Sequence, residues 1–126
     1  MRFLASLAFS APLLVKAISA ETLFASHYSG QVYTLQLTNN SGVFSLAASS
    51  NVTACGGLPS WLTYDAVGKA LYCSDETFSG SGSISSFSAD VNGRLTLTGK
   101  ALAPTGGVAN TLYGGPNGRS FIAIAH

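Results

Sequence analysis

Residues 55–76, CGGLPSWLTYDAVGKALYCSDE, recur fifty positions later as residues 105–126, TGGVANTLYGGPNGRSFIAIAH, and the two align without a gap. Gly56 and Gly57 fall on Gly106 and Gly107, Leu58 on Val108, Leu62 on Leu112, Gly68 on Gly118, Lys69 on Arg119 and Leu71 on Phe121. Each copy reads as a loop, a strand, a tight turn and a second strand. A chain that repeats a hairpin at a fixed period of this size is held to one kind of solution. One unit cannot bury its apolar face alone, so like units must stack side by side. A third, incomplete copy lies upstream: 23–27 resembles 71–75, 30–35 resembles 82–87, and 42–46 resembles 93–97.

With the four strands of a repeat lettered A to D, the chain runs B-C-D over 21–47, a complete A-B-C-D over 56–101, and a final A-B over 106–126. Apolar and polar residues alternate along 31–37, the period of two of a half-buried strand. Asn39-Asn40-Ser41-Gly42 and Asp90-Val91-Asn92-Gly93 are turn sequences, since Asn and Gly reach positive φ at low cost. Residues 48–54 and 99–105 read as polar crossings between units, and 79–83 as a Ser/Gly loop. The pattern predicts at least ten antiparallel strands, no helix after residue 20, and Trp61–Tyr64 innermost in its unit. A four-stranded meander in about fifty residues is the blade of a β-propeller. The expected fold is all-β, a partial β-propeller of about two blades. Both ends look cut, one repeat starting at strand B and another stopping after strand B at His126.

The first twenty residues stand apart. Met1 and Arg2 precede an apolar run from Phe3 to Val15, and small residues offer cleavage after Ala17 or after Ala20. This is the pattern of a secretory signal peptide, residues 1–20. As a membrane anchor the run is too short, because spanning takes about twenty apolar residues and Pro12 interrupts this one. Removing it takes Arg2 and Lys16, leaving four basic and five acidic residues and a net charge of −1. So neutral a chain has no basic footprint for nucleic acid and no attraction to an anionic membrane. The expected destination is extracellular. There Asn39-Asn40-Ser41 and Asn51-Val52-Thr53 are glycosylation triplets, with Asn39 and Asn51 as acceptors.

Two cysteines in a secreted chain suggest one disulfide. Pairing strand A with strand B about the 65–69 turn places Trp61 near Cys73, with Cys55 in the loop just before. A Cys55–Cys73 bond would pin that loop to its blade; the other reading is two separate buried thiols. The spacing has no Cys-x-x-Cys and no His cluster, so no metal site and no cofactor is expected. Gly80-Ser81-Gly82 lacks the helix that a phosphate cradle needs, and Trp61, Tyr64, Tyr72, Phe87 and Phe121 read as packing within and between blades.

His27, Asp75 with Glu76, and His126 all fall at the end of strand B in their repeats. In a propeller those ends open on one face, around the channel. Groups placed there are candidates to bind a sugar lactone or a carboxylate, and a histidine can act as general acid or base. Equally, polar residues end strands because loops meet water, and both readings stand at this point.

The runs LFASHYSGQVYTLQL, CGGLPSWLTYDAVGKALYCSDE and PTGGVANTLYGGPNGRSFIAIAH resemble the lactonase family of seven-bladed propellers, which includes 6-phosphogluconolactonases and 3-carboxy-cis,cis-muconate cyclases. The resemblance covers residues 21–126 and is nearest to the secreted, fungal-type branch. It implies an N-terminal part of an enzyme that hydrolyses a sugar lactone or forms a muconolactone. The missing partners would be the remaining blades, and the part alone would be inactive. The family's catalytic His, Glu and Arg belong to later blades and find no match here. The alternative is a secreted, non-catalytic propeller that binds carbohydrate or protein, and nothing in these residues separates hydrolase from cyclase.

Overall fold

The computed structural model describes residues 18–126, so most of the expected signal segment, residues 1–17, lies outside the described residues. Nine strands follow in order: β1 (Ile18–His27), β2 (Gln31–Asn40), β3 (Val43–Val52), β4 (Pro59–Asp65), β5 (Ala70–Asp75), β6 (Gly82–Ala89), β7 (Leu95–Ala103), β8 (Ala109–Tyr113) and β9 (Phe121–Ala125). There is no helix among the described residues, and the strands number nine rather than the ten or more that the repeat suggested. They form three antiparallel meanders, β1-β2-β3, β4-β5-β6-β7 and β8-β9, an arc of blades as in a partial propeller. The inner strand β4 touches β1 on one side and β8 on the other, so the inner ends of the sheets are where the blades meet.

Two segments expected to be crossings are strand. β3 continues through Val52 and β7 through Ala103. In both blades the outer strand takes up one extra residue as a bulge. The register slips between Thr34 and Leu35 against β3, and at the aligned place, between Ser86 and Phe87, against β7. A bulge lets pairing resume past a mismatch and tightens the twist, so polar residues that look like linker remain on the ladder.

The gapless alignment of the two hairpins also hides a shift. Leu62 faces Cys73, but Leu112 faces Ile122 and not Ala123, the residue aligned with Cys73. Gly114 and Gly115 both have positive φ, at 65° and 71°, which ends β8 early and opens a wider turn. For the same reason of register, Trp61 stands opposite Ser74 and Leu62 opposite Cys73, one residue from the expected pairing.

Alternation along the strands gives blade two, β4–β7, two unlike faces. Leu62, Leu71, Cys73 and Phe87 share the face toward blade one, and with Phe24, Val32, Val52, Ala54, Cys55, Ala89 and Leu95 they make the apolar core. Phe24 and Tyr64 pack across that seam as a tilted aromatic pair with centroids 5.1 Å apart. Trp61, Thr63, Tyr72 and Ser74 share the opposite face, toward β8 and β9.

Cys55 and Cys73 are joined in a disulfide with Cα atoms 5.8 Å apart, both buried in the core, and no free cysteine remains. The bond fixes residues 54–58 across the inner end of blade two. Hydroxyls finish the attachment: Ser85 Oγ donates to the carbonyls of Ala54 and Cys55 at 3.2 Å, and Ser83 Oγ donates to that of Cys55 at 3.3 Å. Lys100 Nζ donates to the same Cys55 carbonyl at 3.2 Å.

Candidate functional site at the ends of the B strands

β1, β5 and β9 are the second strands of their repeats, and each ends on a candidate residue or one position short of it. His27 closes β1, Asp75 closes β5 with Glu76 next, and His126 follows β9. The loops that leave these strands meet. Glu76 N donates to Leu58 O at 2.9 Å, Gly106 N donates to Glu76 O at 2.6 Å, and His126 Nδ1 lies 3.0 Å from Thr105 O. The tip of the first hairpin joins them through Tyr28, whose hydroxyl donates to Glu76 Oε2 at 2.5 Å. Residues 27–30, 56–58, 75–77, 105–107 and 126 therefore form one continuous rim.

The four candidates are not alike. Asp75 is buried at 8% exposure, and both carboxylate oxygens are engaged. Oδ1 accepts from Leu58 N at 3.0 Å, and Oδ2 accepts from Ser83 Oγ at 3.4 Å. Gly56 lies directly on this carboxylate, and a side chain at that position would collide with Asp75 Oδ2, Cγ and Cβ. Asp75 thus seats the 55–58 loop, on the same face of β5 as Cys73 and its disulfide. Glu76 is half-buried, with Oε2 taken by Tyr28. His27 and His126 are exposed; His27 Nδ1 accepts from Ser29 N at 3.1 Å. The structure brings Tyr28, Glu76, Asp75 and the 105–107 loop together, with His126 against Thr105 O, while His27 makes its hydrogen bond within its own loop.

Tyr28 raises its pKa above the ordinary tyrosine value because its proton is held in the hydrogen bond to Glu76, reinforced by burial and by the carboxylate's charge. The phenol therefore keeps its proton, and its hydrogen bond to Glu76, across the neutral range. Sequence reasoning passed over Tyr28, although the signal was present: when 23–27 is laid on 71–75, Tyr28 falls on Glu76.

A second polar cluster ties blade two to β8–β9 at the other end of the strands. Asp65 Oδ1 accepts from Val67 N and Gly68 N at 3.1 Å, the usual aspartate cap of its own turn. The same oxygen receives Arg119 at 2.6 Å. The Gly68 N–H first and Arg119 second hold the Asp65 carboxyl below its ordinary range, against some desolvation. Between these ends, Ser60 Oγ donates to Gly107 O at 2.7 Å, Thr63 Oγ1 donates to Asn110 O at 2.8 Å, and Asn110 Nδ2 donates to Ser74 Oγ at 2.8 Å. Asn110 Oδ1 is buried without a hydrogen-bond partner.

Among the described residues no group of three or more His, Cys, Asp or Glu is placed to hold a metal ion. None of their segments is a helix long and apolar enough to cross a membrane. A family model described as lactonase, 7-bladed beta-propeller, matches residues 21–126. No curated protein and no solved structure matches the chain.

Proposed function

Because this chain belongs to the lactonase, seven-bladed β-propeller family, we propose that its rim forms part of the mouth of a channel in which a lactone ring is opened or closed. One observation carries the reading: the loops after three successive B strands converge, so that Glu76 with Tyr28, and the imidazoles of His27 and His126, occupy one end of the arc. Ring opening needs a base there. The oxygen of water bonds to the lactone carbonyl carbon while its proton passes to an imidazole or to a carboxylate. Charge gathers on the carbonyl oxygen until the ring C–O bond breaks, and the ring oxygen then takes a proton to give the hydroxy acid. Cyclisation is a different step with related needs, a carboxylate oxygen adding to a double bond as the neighbouring carbon is protonated.

The described residues form three sheets where the family's description counts seven blades. Orientation and exclusion of water come from walls on all sides of a substrate. We therefore assign the activity to a closed ring, with the remaining blades as partners of these, and no turnover to residues 21–126 alone. The test is to prepare this stretch and a version extended to about seven repeats, and to follow hydrolysis of gluconolactones and cyclisation of carboxymuconate. Turnover by the extended protein that falls at least tenfold in Glu76→Gln or His27→Ala supports the rim. Equal turnover in those variants moves the chemistry elsewhere in the ring, and turnover by residues 21–126 alone overturns the need for more blades. The alternative, a non-catalytic propeller that binds carbohydrate or protein, draws support from Asp75, whose carboxylate is buried and engaged in holding a loop.

The leader belongs to the same reading. Secretion with cleavage after Ala17 is supported by β1, whose first residues Ile18–Ala20 pair with Thr38–Asn40 and would be lost by cleavage after Ala20. N-terminal sequencing of the exported protein distinguishes the two.

A further inference from the structure

We propose that the two rim histidines are held in opposite tautomers, so that His126 is the base of the site and His27 its hydrogen-bond donor. The inference deepens the lactone reading and rests on it for the chemistry, while the tautomers themselves can be read with no reaction at all. In a neutral imidazole one nitrogen carries the proton and the other a lone pair, and the partner of one nitrogen fixes the role of the other.

At His126 the partner is a carbonyl. Nδ1 lies 3.0 Å from Thr105 O, an atom that can only accept, so Nδ1 carries the proton. That leaves the lone pair on Nε2, which has no hydrogen-bond partner among the described residues. The ring lies over Gly107, where a Cβ would stand 3.5 Å from its Cε1 and 3.8 Å from its Nδ1. The loop beneath it is fixed in turn, since Val108 N donates to Ala125 O at 2.9 Å and Gly106 N donates to Glu76 O at 2.6 Å. Thr105 aligns with Cys55, whose carbonyl accepts from Ser83, Ser85 and Lys100. At that place in the third repeat His126 supplies the donor.

At His27 the partner is an amide. Ser29 N donates to Nδ1 at 3.1 Å, so Nδ1 holds the lone pair and Nε2 carries the proton. Gly30 N closes the turn by donating to His27 O at 3.0 Å, and the turn abuts blade two, where a Cβ on Gly30 would stand 3.0 Å from Gly56 O. Both histidines are exposed. After the B strand that lies between theirs, Glu76 has one carboxylate oxygen already taken by Tyr28.

The two rings then do different things. The oxygen of water bonds to the lactone carbonyl carbon while its proton passes to Nε2 of His126. The imidazolium keeps its Nδ1 proton on Thr105 O. As the ring C–O bond breaks, the proton on Nε2 passes to the ring oxygen, and the imidazole ends as it began. His27 offers its Nε2 proton to a carbonyl or carboxylate oxygen of the ligand.

The experiment uses the full-length gene product, labelled with heavy nitrogen in its histidine rings for magnetic resonance. His27→Gln and His126→Gln assign the signals. At the alkaline plateau, where the ring shifts stop moving, His126 should be protonated on Nδ1 and His27 on Nε2. A proton on Nε2 of His126, or on Nδ1 of His27, overturns the proposal whatever the activity. Turnover of a gluconolactone by the same protein reads the roles. His126→Gln should lower kcat about 100-fold, since an amide is no base. His27→Gln, whose amide N–H can replace the Nε2 proton, should recover most of the turnover lost in His27→Ala. Loss in His27→Ala with none in His126→Gln keeps the rim and overturns His126 as its base. The expected tautomers with no turnover of any lactone overturn the lactone reading, and the base role with it, and leave the two hydrogen-bonding faces established.

Discussion

The two seams between blades are made of different material. Blade one meets blade two through Phe24, Val32 and Val52 against Leu62, Leu71, Phe87 and Leu95, over a buried disulfide. Blade two meets β8–β9 through side-chain hydrogen bonds from Ser60, Thr63 and Asn110 and the Asp65–Arg119 ion pair, and no residue of β8 or β9 belongs to the buried apolar cluster. Apolar burial contributes roughly in proportion to area and has no direction. A hydrogen bond contributes only about 1 kcal/mol net, but it fixes which residue faces which. The first seam therefore holds the arc together, and the second sets the register of the hairpin beyond it. Repeats that align without a gap need not do equal mechanical work.

The largest expected effect tests that division directly. Phe87→Ala should cost about 3–5 kcal/mol in denaturant unfolding, because Phe87 is wholly buried in the first seam. Ile124→Ala, half-buried in the second, should cost less than half as much. Equal costs would erase the contrast.

Replacing Cys55 and Cys73 together with serine should cost about 3 kcal/mol, the value for a closed loop near this size, the two cysteines being 18 residues apart. Protein unfolded without reductant should show no titratable thiol; two free thiols would mean that the bond is absent.

A finer comparison sets Thr34 against Asn110, the polar groups of the two seams. Thr34→Val leaves the buried Gly93 carbonyl without its partner and should cost about 1–2 kcal/mol. Asn110→Ala loses donors but also removes an oxygen that is buried and unpaired, so the net change should stay below about 1 kcal/mol. A larger loss at Asn110 would make the polar seam a source of stability and not of register alone.

The smallest effect is a pH dependence. The folded Asp65 carboxyl titrates below the unfolded value of about 4. Its stabilisation is complete above that value and is lost as pH falls through the lower folded one. Arg119→Ala should narrow this window from its acid side, since the Gly68 and Val67 N–H bonds remain. Urea midpoints at pH 6 and pH 3 for both proteins measure it.

Much of the fold was legible because the repeat is written in the residues that make turns and inner strands. The glycine pairs, the Asn-Gly turn and the alternation along 31–37 are local signals, and each stands where the chain turns or pairs. The outer strands were not legible. Residues 48–52 and 99–103 are rich in Ser, Ala and Gly, and they are strand because β2 and β6 offer free edges and a bulge absorbs the mismatch. That is tertiary pairing overriding weak propensity. The slip of the last hairpin was likewise invisible, because alignment compares identities and Gly114–Gly115 act through φ. At the rim, chain position gave the ends of the B strands but not their partners. Nothing in a lone Asp75 announces that Leu58 N and Ser83 Oγ take its oxygens, and Tyr28 reaches Glu76 only across 48 residues of chain.

The disulfide has a consequence in time as well as in space. Its two sulfurs are 18 residues apart and need only the β4–β5 hairpin to meet. The crosslink depends on no residue after Cys73, so it can be sealed before β6 and β7 have paired. The later strands would then arrive at a surface already set, adding to a finished hairpin one after another instead of searching with it.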